Sequence, residues 1–218
     1  MNQQEEVNMY WSLIVENFIL GDLKRMVGFT PKPEAKSGNL NFAITLVLFA
    51  SIELLGSFYS GKSEGGENEG KNFMQYYFSA QYKDSKLLKE LWDKFRHGLA
   101  HAMVPKMGSA VSRRMPNQHL RRISYGLFET LVLDADSLFI DFEKALQDYK
   151  KDLDLDKKTE KGDSLRGNFL ATLEKMRVSQ QQGRSSVGSS NVPSSLSSSS
   201  YTTYDPMLNK GMKSSDAE

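Results

Sequence analysis

The spacing of apolar residues predicts a protein built from helices. Apolar side chains recur every three or four positions over residues 5–27, 84–103, 127–149 and, more weakly, 163–177, which places them on one face of a helix. Residues 40–59 are apolar nearly all round and predict a helix at the centre of a bundle. The aromatic stretch 72–82 predicts a short helix. Strands do not alternate with helices, so a parallel α/β sheet is not expected.

Breaks in these patterns mark the connections. Residues 61–70, GKSEGGENEG, predict a flexible connection because glycine opposes helix and strand. The helical period disappears between residues 108 and 126, which leaves a β-hairpin and an irregular loop both open. Beyond Val178 the chain is rich in Ser, Gln and Gly and has too little apolar surface to order itself. The sequence therefore predicts a helical domain over residues 1–178 and a disordered tail over residues 179–218.

Composition and the first residues bear on location. The chain has no cysteine, which excludes disulfides and thiolate metal sites and suits a reducing compartment. The N-terminal MNQQEEVNMY lacks the basic and apolar regions of a secretion signal. Residues 40–59 are long enough to span a bilayer but include Glu53 and several polar residues, so a buried core helix explains them better. We expect a cytoplasmic protein without a membrane span.

The charge distribution is uneven although the net charge is only +1. Residues 95–128 contain no Asp or Glu, and residues 129–163 are acidic. The acid-free window holds six cations and all three histidines: Arg96, Lys106, Arg113, Arg114, Arg121 and Arg122, with His97, His101 and His119. Two interpretations stay open, a solvated basic loop balanced by an acidic helix and a surface that attracts a phosphate-bearing partner.

The segment from Phe95 to His101 is the strongest candidate for chemistry. His97 and His101 are four residues apart and share a helix face roughly opposite the apolar stripe, with Arg96 at its edge. Gly98 inside the helix is unfavourable by about 1 kcal/mol relative to alanine, which indicates close packing or local unwinding. These residues are either ordinary surface side chains, a pair of metal ligands without an evident third, or a phosphate-handling site.

The pattern Arg96-His97-x-x-x-His101 resembles the signature of HEPN domains, helical bundles of which many are metal-independent RNases in toxin, defence and RNA-processing systems. The similarity covers about residues 40–150. It includes the helix ending at residues 52–61, the aromatic stretch 73–82, and residues 91–101. The resemblance implies an all-α, HEPN-like helical bundle. Residues 108–126, as a small hairpin or loop, and the Ser-rich tail are additions to it.

The resemblance also implies roles for three residues. Arg96 would hold the scissile phosphate, His101 would act as general base or acid, and His97 would orient the substrate. Arginine binds phosphate with two donors, and histidine exchanges a proton near neutral pH without a metal or cofactor. On an ideal helix Arg96 and His101 lie about 140° apart. Either Gly98 loosens the turn, Arg96 reaches around, or two chains share the site, and the resemblance implies the third, a homodimer.

The function predicted in this way is a toxin- or defence-like endoribonuclease with RNA as substrate. Such an activity would damage host RNA, which implies an inhibitory partner protein. Similarity adds Glu53 on the preceding bundle helix, and a semi-buried carboxylate paired with some cation explains it equally well. The other substrate-binding candidates are basic: Arg113, Arg114, Arg121 and Arg122. The alternative function is a catalytically inactive HEPN-like binding or dimerisation module.

Residues 56–63 match G-x4-G-K-S, the phosphate loop of nucleotide hydrolases, and residues 131–134 resemble its acidic strand. That loop works only between a strand and a helix, whose N-terminus completes the phosphate site. Here acidic and glycine residues follow the motif, and Asp134 falls inside a helical period. A nucleotide hydrolase is therefore the least favoured of the three functions.

Overall fold

Helices make up most of the computed structural model of this protein, which describes residues 2–30, 40–62, 65–125 and 128–186. The chain divides into units of residues 1–181 and 182–218; of the second, only the helical residues 182–186 are described. The described helices are α1 over residues 3–28, α2 (Asn41–Ser60), α3 (Glu67–Tyr77), α4 over residues 85–102, α5 (Ala135–Asp154) and α6 (Leu165–Ser186), with short 3-10 turns at Ala80–Lys83 and Pro116–Gln118.

Helix α2 lies at the centre of the core, as its all-round apolar sequence predicts. Ile44, Leu48, Ile52 and Leu55 are fully buried. The helix is long and apolar enough to cross a membrane, and 67% of its most apolar window is buried inside the protein. Burial against the other helices therefore accounts for its hydrophobicity, and the prediction of a buried core helix is confirmed.

Helices α1 and α4 each change winding along their length. In α1, the π-helical segment Trp11–Leu20 lies between Gln3–Tyr10 and Gly21–Gly28. In α4, the π-helical segment Leu91–His97 lies between Ser85–Glu90 and Gly98–Ala102. A π-helix is wider than an α-helix, and such segments are frequent at functional sites. The angular positions of an ideal helix therefore do not hold at the candidate residues of α4.

A small sheet corrects the all-α prediction. Strands β1 (Ser109–Ser112), β2 (Arg122–Tyr125) and β3 (Phe128–Asp134) lie in the order β1-β3-β2. Strand β1 is parallel to β3, and β2 is antiparallel to it. The two runs within residues 108–126 therefore pair with β3 and not with each other. The protein is mostly helical, and the prediction that it is entirely so is wrong.

The helix predicted from residue 127 begins only at Ala135. Leu131, Val132 and Leu133 are all buried, and a short run of this kind fits a buried strand and a helix equally well. Asp134 ends the strand and caps α5, since its carboxylate accepts a hydrogen bond of 2.9 Å from the Ser137 N–H. The assignment of Asp134 to a helical period is therefore wrong.

Of the other predicted boundaries, one agrees with the structure and two differ from it. Asp84 caps α4 as predicted and accepts from the Lys86 N–H at 2.9 Å. Residues 67–70, predicted as flexible, form the first turn of α3. Helix α6 extends to Ser186, past the predicted start of the tail, and residues 187–218 lie outside the described residues.

Glycines let α3 approach both α2 and α4 closely. A β-carbon at Gly56 would lie 2.3 Å from the Glu69 backbone, and one at Gly70 would lie 2.6 Å from Cζ2 of Trp92. Packing against neighbouring helices therefore holds these glycines in helices despite their low propensity.

Candidate functional site

Glu53 and Arg96 form the centre of the candidate site. Arg96 donates from Nε to Glu53 Oε1 at 2.9 Å and from Nη2 to Glu53 Oε2 at 3.0 Å. The indole of Trp92 donates to Glu53 Oε1 at 3.3 Å. Glu53 is therefore a nearly buried carboxylate paired with a cation, and that cation is the arginine predicted to hold phosphate.

The backbone around Glu53 explains its burial. Gly70 of α3 lets the Trp92 ring and the Glu53 side chain lie against that helix, since its β-carbon would meet both. The chain returning from α2 passes over Glu53 at Gly65, whose β-carbon would lie 2.8 Å from the Glu53 carbonyl oxygen. A carboxylate enclosed in this way needs a paired cation and hydrogen bonds, and Arg96 and Trp92 provide both.

His97 and His101 lie one turn apart near the end of α4. Their ring centroids are 6.1 Å apart with 64° between the planes. His97 Nε2 is 3.4 Å from Glu67 Oε2 on α3, and His101 is exposed. The structure thus brings Arg96, His97 and His101 to one end of the helix, with Arg96 directed to Glu53.

The turn after α4 packs against Gly98. A β-carbon there would lie 2.8 Å from the Val104 carbonyl oxygen and 2.9 Å from the Lys106 nitrogen. Met103 ends the helix in the left-handed conformation with φ 59°, and the Lys106 N–H donates to the Lys94 carbonyl at 2.9 Å. Gly98 is therefore closely packed, as predicted, and the change from π-helical to α-helical winding occurs just before it. The turn that folds back onto Gly98 holds the end of the helix that carries His101.

The four arginines predicted to bind substrate are not gathered on one surface. Arg113 is buried, donates to Asp136 at 2.9 Å and reaches the Phe29 carbonyl. Arg114 donates to the Thr30 hydroxyl at 2.8 Å on the same side. These two tie the end of β1 to the chain that follows α1, so we leave Arg113 out of the proposed site.

The other two arginines, Arg121 and Arg122, lie away from Arg113 and Arg114. Arg122 binds both oxygens of Glu90 on α4, at 2.7 and 2.8 Å. The hydrogen bond from Arg122 lowers the pKa of Glu90. Arg121 is exposed. Arg122 thus lies beside the helix of the candidate site, at Glu90, which is six residues before Arg96.

His119 belongs to the interior and not to the candidate site. The Tyr82 hydroxyl donates to Asp141 Oδ2 at 2.8 Å and lies 2.8 Å from His119 Nε2. His119 Nδ1 accepts from the Asp134 N–H at 3.2 Å, so its proton is on Nε2 and is donated to Tyr82. Burial raises the pKa of Tyr82 well above its ordinary value and keeps the bridging hydroxyl protonated.

Helix α3 contributes residues that the sequence did not single out. Glu67 contacts His97 and also pairs with Lys71, whose ammonium lies 6.0 Å from the centroid of the Trp92 ring. The i, i+4 spacing of Glu67 and Lys71 is a helical signal. The glycines of residues 61–70 hide this signal, because they predict a loop at the start of the helix.

Neither a metal centre nor a phosphate loop is formed by the described residues. No group of three His, Asp or Glu side chains among them is placed to hold a metal ion. Residues 56–60 of the G-x4-G-K-S match are the last turns of α2, and Lys62 forms an ion pair with Glu69. Burial alone would raise the pKa of Glu69, but the hydrogen bond from Lys62, a backbone hydrogen bond and the charges of Lys62 and Lys161 together lower it. Ser63 lies outside the described residues.

Comparison of the chain with family models, with curated proteins and with solved structures finds no match. The HEPN resemblance therefore stays a prediction that rests on Arg96, His97, His101 and their surroundings.

Proposed function

We propose that this protein is a HEPN-type, metal-independent endoribonuclease. Arg96 binds the scissile phosphate, His101 acts as general acid or base, and His97 orients the substrate. The observation that carries the proposal is the pair of hydrogen bonds from Arg96 to Glu53, on a helix in which His97 follows Arg96 directly and His101 lies one turn later. The pair orients the guanidinium before any substrate arrives.

The guanidinium retains donors for a phosphate. An arginine side chain has five N–H donors, and the Glu53 carboxylate accepts from Nε and Nη2. The Nη1 group remains on the other edge, and the Arg96 side chain is 29% exposed. A phosphate oxygen bound there would gain a charge-assisted hydrogen bond without displacing Glu53.

The proton transfers follow from the residue types. His101 takes the proton of a ribose 2′-hydroxyl, and the 2′-oxygen forms a bond to the adjacent phosphorus. The bond from phosphorus to the 5′-oxygen breaks, and that oxygen receives a proton from a second imidazolium. The products are a 2′,3′-cyclic phosphate and a 5′-hydroxyl. The donor is His101 of a second chain, so the reaction requires a dimer.

Exposed apolar side chains next to the site support an interface there. Met103, Val104 and Met107 follow α4 directly and are 65%, 51% and 94% exposed. The Gly108 carbonyl accepts from the Leu131 N–H at 3.0 Å, which joins the end of this turn to the middle of β3; the first residue of that strand, Phe128, is 71% exposed. Apolar groups clustered in this way mark interaction surfaces. A second copy of this chain would cover these side chains. The alternative partner for the same surface is an inhibitory protein, as expected for a cytoplasmic toxin or defence system.

A second candidate function is an inactive HEPN-like binding or dimerisation module. The observation that favours it is the same pair, because an arginine that neutralises the nearly buried Glu53 has a structural reason to be there. The exposed residues after α4 suit this function equally.

The chemistry of the products tests the proposal. Purified protein is incubated with single-stranded RNAs in excess EDTA, and the fragment ends are analysed. The nuclease predicts 2′,3′-cyclic phosphate and 5′-hydroxyl ends, with activity that falls together with dimer content in Met107→Glu. Fragments with 5′-phosphate ends, or activity that EDTA abolishes, would overturn it. Intact RNA together with a stable dimer would favour the binding module.

A further inference from the structure

A second cleft lies where α2 and α3 end, apart from the Arg96 pair. Its volume is about 280 Å³. Tyr59 and Tyr76 line it together with the side-chain amides of Asn72 and Gln75. Ser60 also lines it and lies seven residues after Glu53, on the same face of α2 and about 10 Å further along the helix. The cleft therefore opens close to the candidate site.

The two tyrosines form an aromatic platform in this cleft. Their ring centroids are 5.4 Å apart with 37° between the planes. Tyr76 is 42% exposed and Tyr59 is buried. Burial raises the pKa of Tyr59 to about 12, so its hydroxyl stays protonated. Exposed aromatic faces stack on nucleic-acid bases of any sequence, and the adjoining amides have donors and acceptors for a base edge.

The cleft is also lined by charged residues of both signs. Its charged lining residues are two acids, Glu160 and Asp163, and two lysines, Lys62 and Lys161. Carboxylates accept hydrogen bonds from the amino groups of bases and repel phosphates. The cleft has no excess of positive charge, whereas the adjoining groove has three lysines and no acid in its lining. A nucleotide would therefore place its base in the cleft and its phosphate in the groove.

The adjoining groove is cationic. It shares Asn72 and Gln75 with the cleft, and its charged lining residues are Lys71, Lys86 and Lys89. Positively charged grooves that follow the backbone, combined with aromatic platforms, are the usual means of binding single strands.

One face of α3 joins the groove to the candidate site. Residues 67, 68, 71, 72, 75 and 76 recur at the spacing of a single helix face. Glu67 contacts His97 at one end of this face, and Tyr76 lies in the cleft at the other, about 14 Å away along the helix. A strand bound along α3 would thus run from the histidines to the tyrosines.

We propose that the groove and the cleft bind single-stranded RNA, with phosphates along Lys86 and Lys89 and one base stacked on Tyr76. This inference rests on the proposed function, because the bound RNA is taken to lead to the proposed cleavage site at Arg96 and His101. The bases of a duplex are stacked on each other and cannot enter the cleft, so the surface selects single strands.

The test is the anisotropy of a short fluorescent single-stranded RNA, measured in a His101→Ala background so that no cleavage interferes. Adding Tyr76→Ala weakens binding by about tenfold, the effect of losing one stacking ring, and Tyr76→Phe restores it. The control is Phe18→Ala, since Phe18 is 43% exposed and lies outside the cleft; this variant binds as the parent does. The paired change Lys86→Ala and Lys89→Ala weakens binding and its dependence on salt.

Three results would overturn the proposed surface: Tyr76→Ala binding as tightly as the parent, duplex RNA binding as well as the single strand, or free nucleotides binding when the strand does not. Parallel cleavage assays of the chain with His101 intact separate this inference from the nuclease. RNA that binds as described but is never cleaved would refute the nuclease and leave the surface standing. RNA that is cleaved with no effect of Tyr76→Ala on binding would refute the surface alone.

Discussion

Glu53 and Arg96 tie helix α2 to helix α4 through two parallel hydrogen bonds of 2.9 and 3.0 Å. The pair gives Arg96 two roles, since it neutralises a nearly buried carboxylate and forms part of the candidate site. Loss of activity in an Arg96 variant would therefore not separate chemistry from folding. His101 is exposed, and its removal tests the chemistry more directly.

Removing one partner of this pair should destabilise the protein. Arg96→Ala leaves the Glu53 charge unpaired, and we expect the free energy of unfolding to fall by about 2–3 kcal/mol. Adding Glu53→Gln recovers part of the loss, because no unpaired charge remains. The measurement is urea denaturation. Arg25→Ala is the control, since its pair with Asp22 is exposed and should change stability by less than about 1 kcal/mol. An unchanged urea midpoint in Arg96→Ala would refute this account of the pair.

Gly98 should resist even the smallest side chain. Gly98→Ala forces a β-carbon against the backbone of Val104 and Lys106, and we expect a loss of about 1–3 kcal/mol of stability. Gly28→Ala is the matched control, because nothing lies within 4 Å of its β-carbon position. There alanine should stabilise the helix by about 0.5–1 kcal/mol. Equal thermal midpoints for the two variants would contradict the close packing.

Arg113 and Arg121, two of the arginines predicted to bind substrate, should differ in how much alanine substitution changes stability. Arg113→Ala leaves Asp136 without its buried partner and should cost about 3 kcal/mol of stability. Arg121→Ala removes an exposed side chain and should leave the urea midpoint unchanged. If Arg121 contacts RNA phosphates, its variant binds RNA with a smaller dependence on salt. A large loss of stability in Arg121→Ala would contradict its exposure.

Acid should weaken the junction between β3 and α5. Burial alone would raise the pKa of Asp134, but hydrogen bonds from the Met115 and Ser137 N–H groups and from the Ser137 and Ser112 hydroxyls together hold it below its ordinary range. Because the pKa of Asp134 is lower in the folded protein, its ionised carboxylate stabilises the fold at pH values above the unfolded-state pKa of about 3.9. This stabilisation is lost as the pH falls through the folded-state pKa.

Asp134→Asn should therefore be less stable than wild type at neutral pH, by a margin that shrinks below about pH 4. Urea midpoints measured across this range check the prediction. A margin independent of pH would assign the effect to packing and not to the charge.

The sequence predicted elements whose signal is local and missed those that depend on distant partners. The stripe of α4 and its cap at Asp84 can be read from neighbouring residues. Strand β3 could not, because Leu131, Val132 and Leu133 are all buried, and a run of consecutive buried residues has no distinguishing period.

The candidate site was likewise only partly predictable. The sequence predicts that Arg96, His97 and His101 share one helix, but it does not predict the π-helical winding that sets their directions. No local pattern joins Arg96 to Glu53, 43 residues earlier. His119 occupies the same acid-free window as His101, yet it is enclosed by Tyr82 and Asp141. Burial separates the two histidines, and burial depends on the whole fold.

The central claim is that His101 carries out metal-independent RNA cleavage. The direct measurement is the cleavage rate of single-stranded RNA in excess EDTA by wild type and by His101→Ala, purified in parallel and compared by urea midpoint. The account predicts cleavage by wild type that EDTA does not slow, and none by a His101→Ala variant of unchanged stability. Intact RNA after incubation with wild type, or equal cleavage by both proteins, would contradict it.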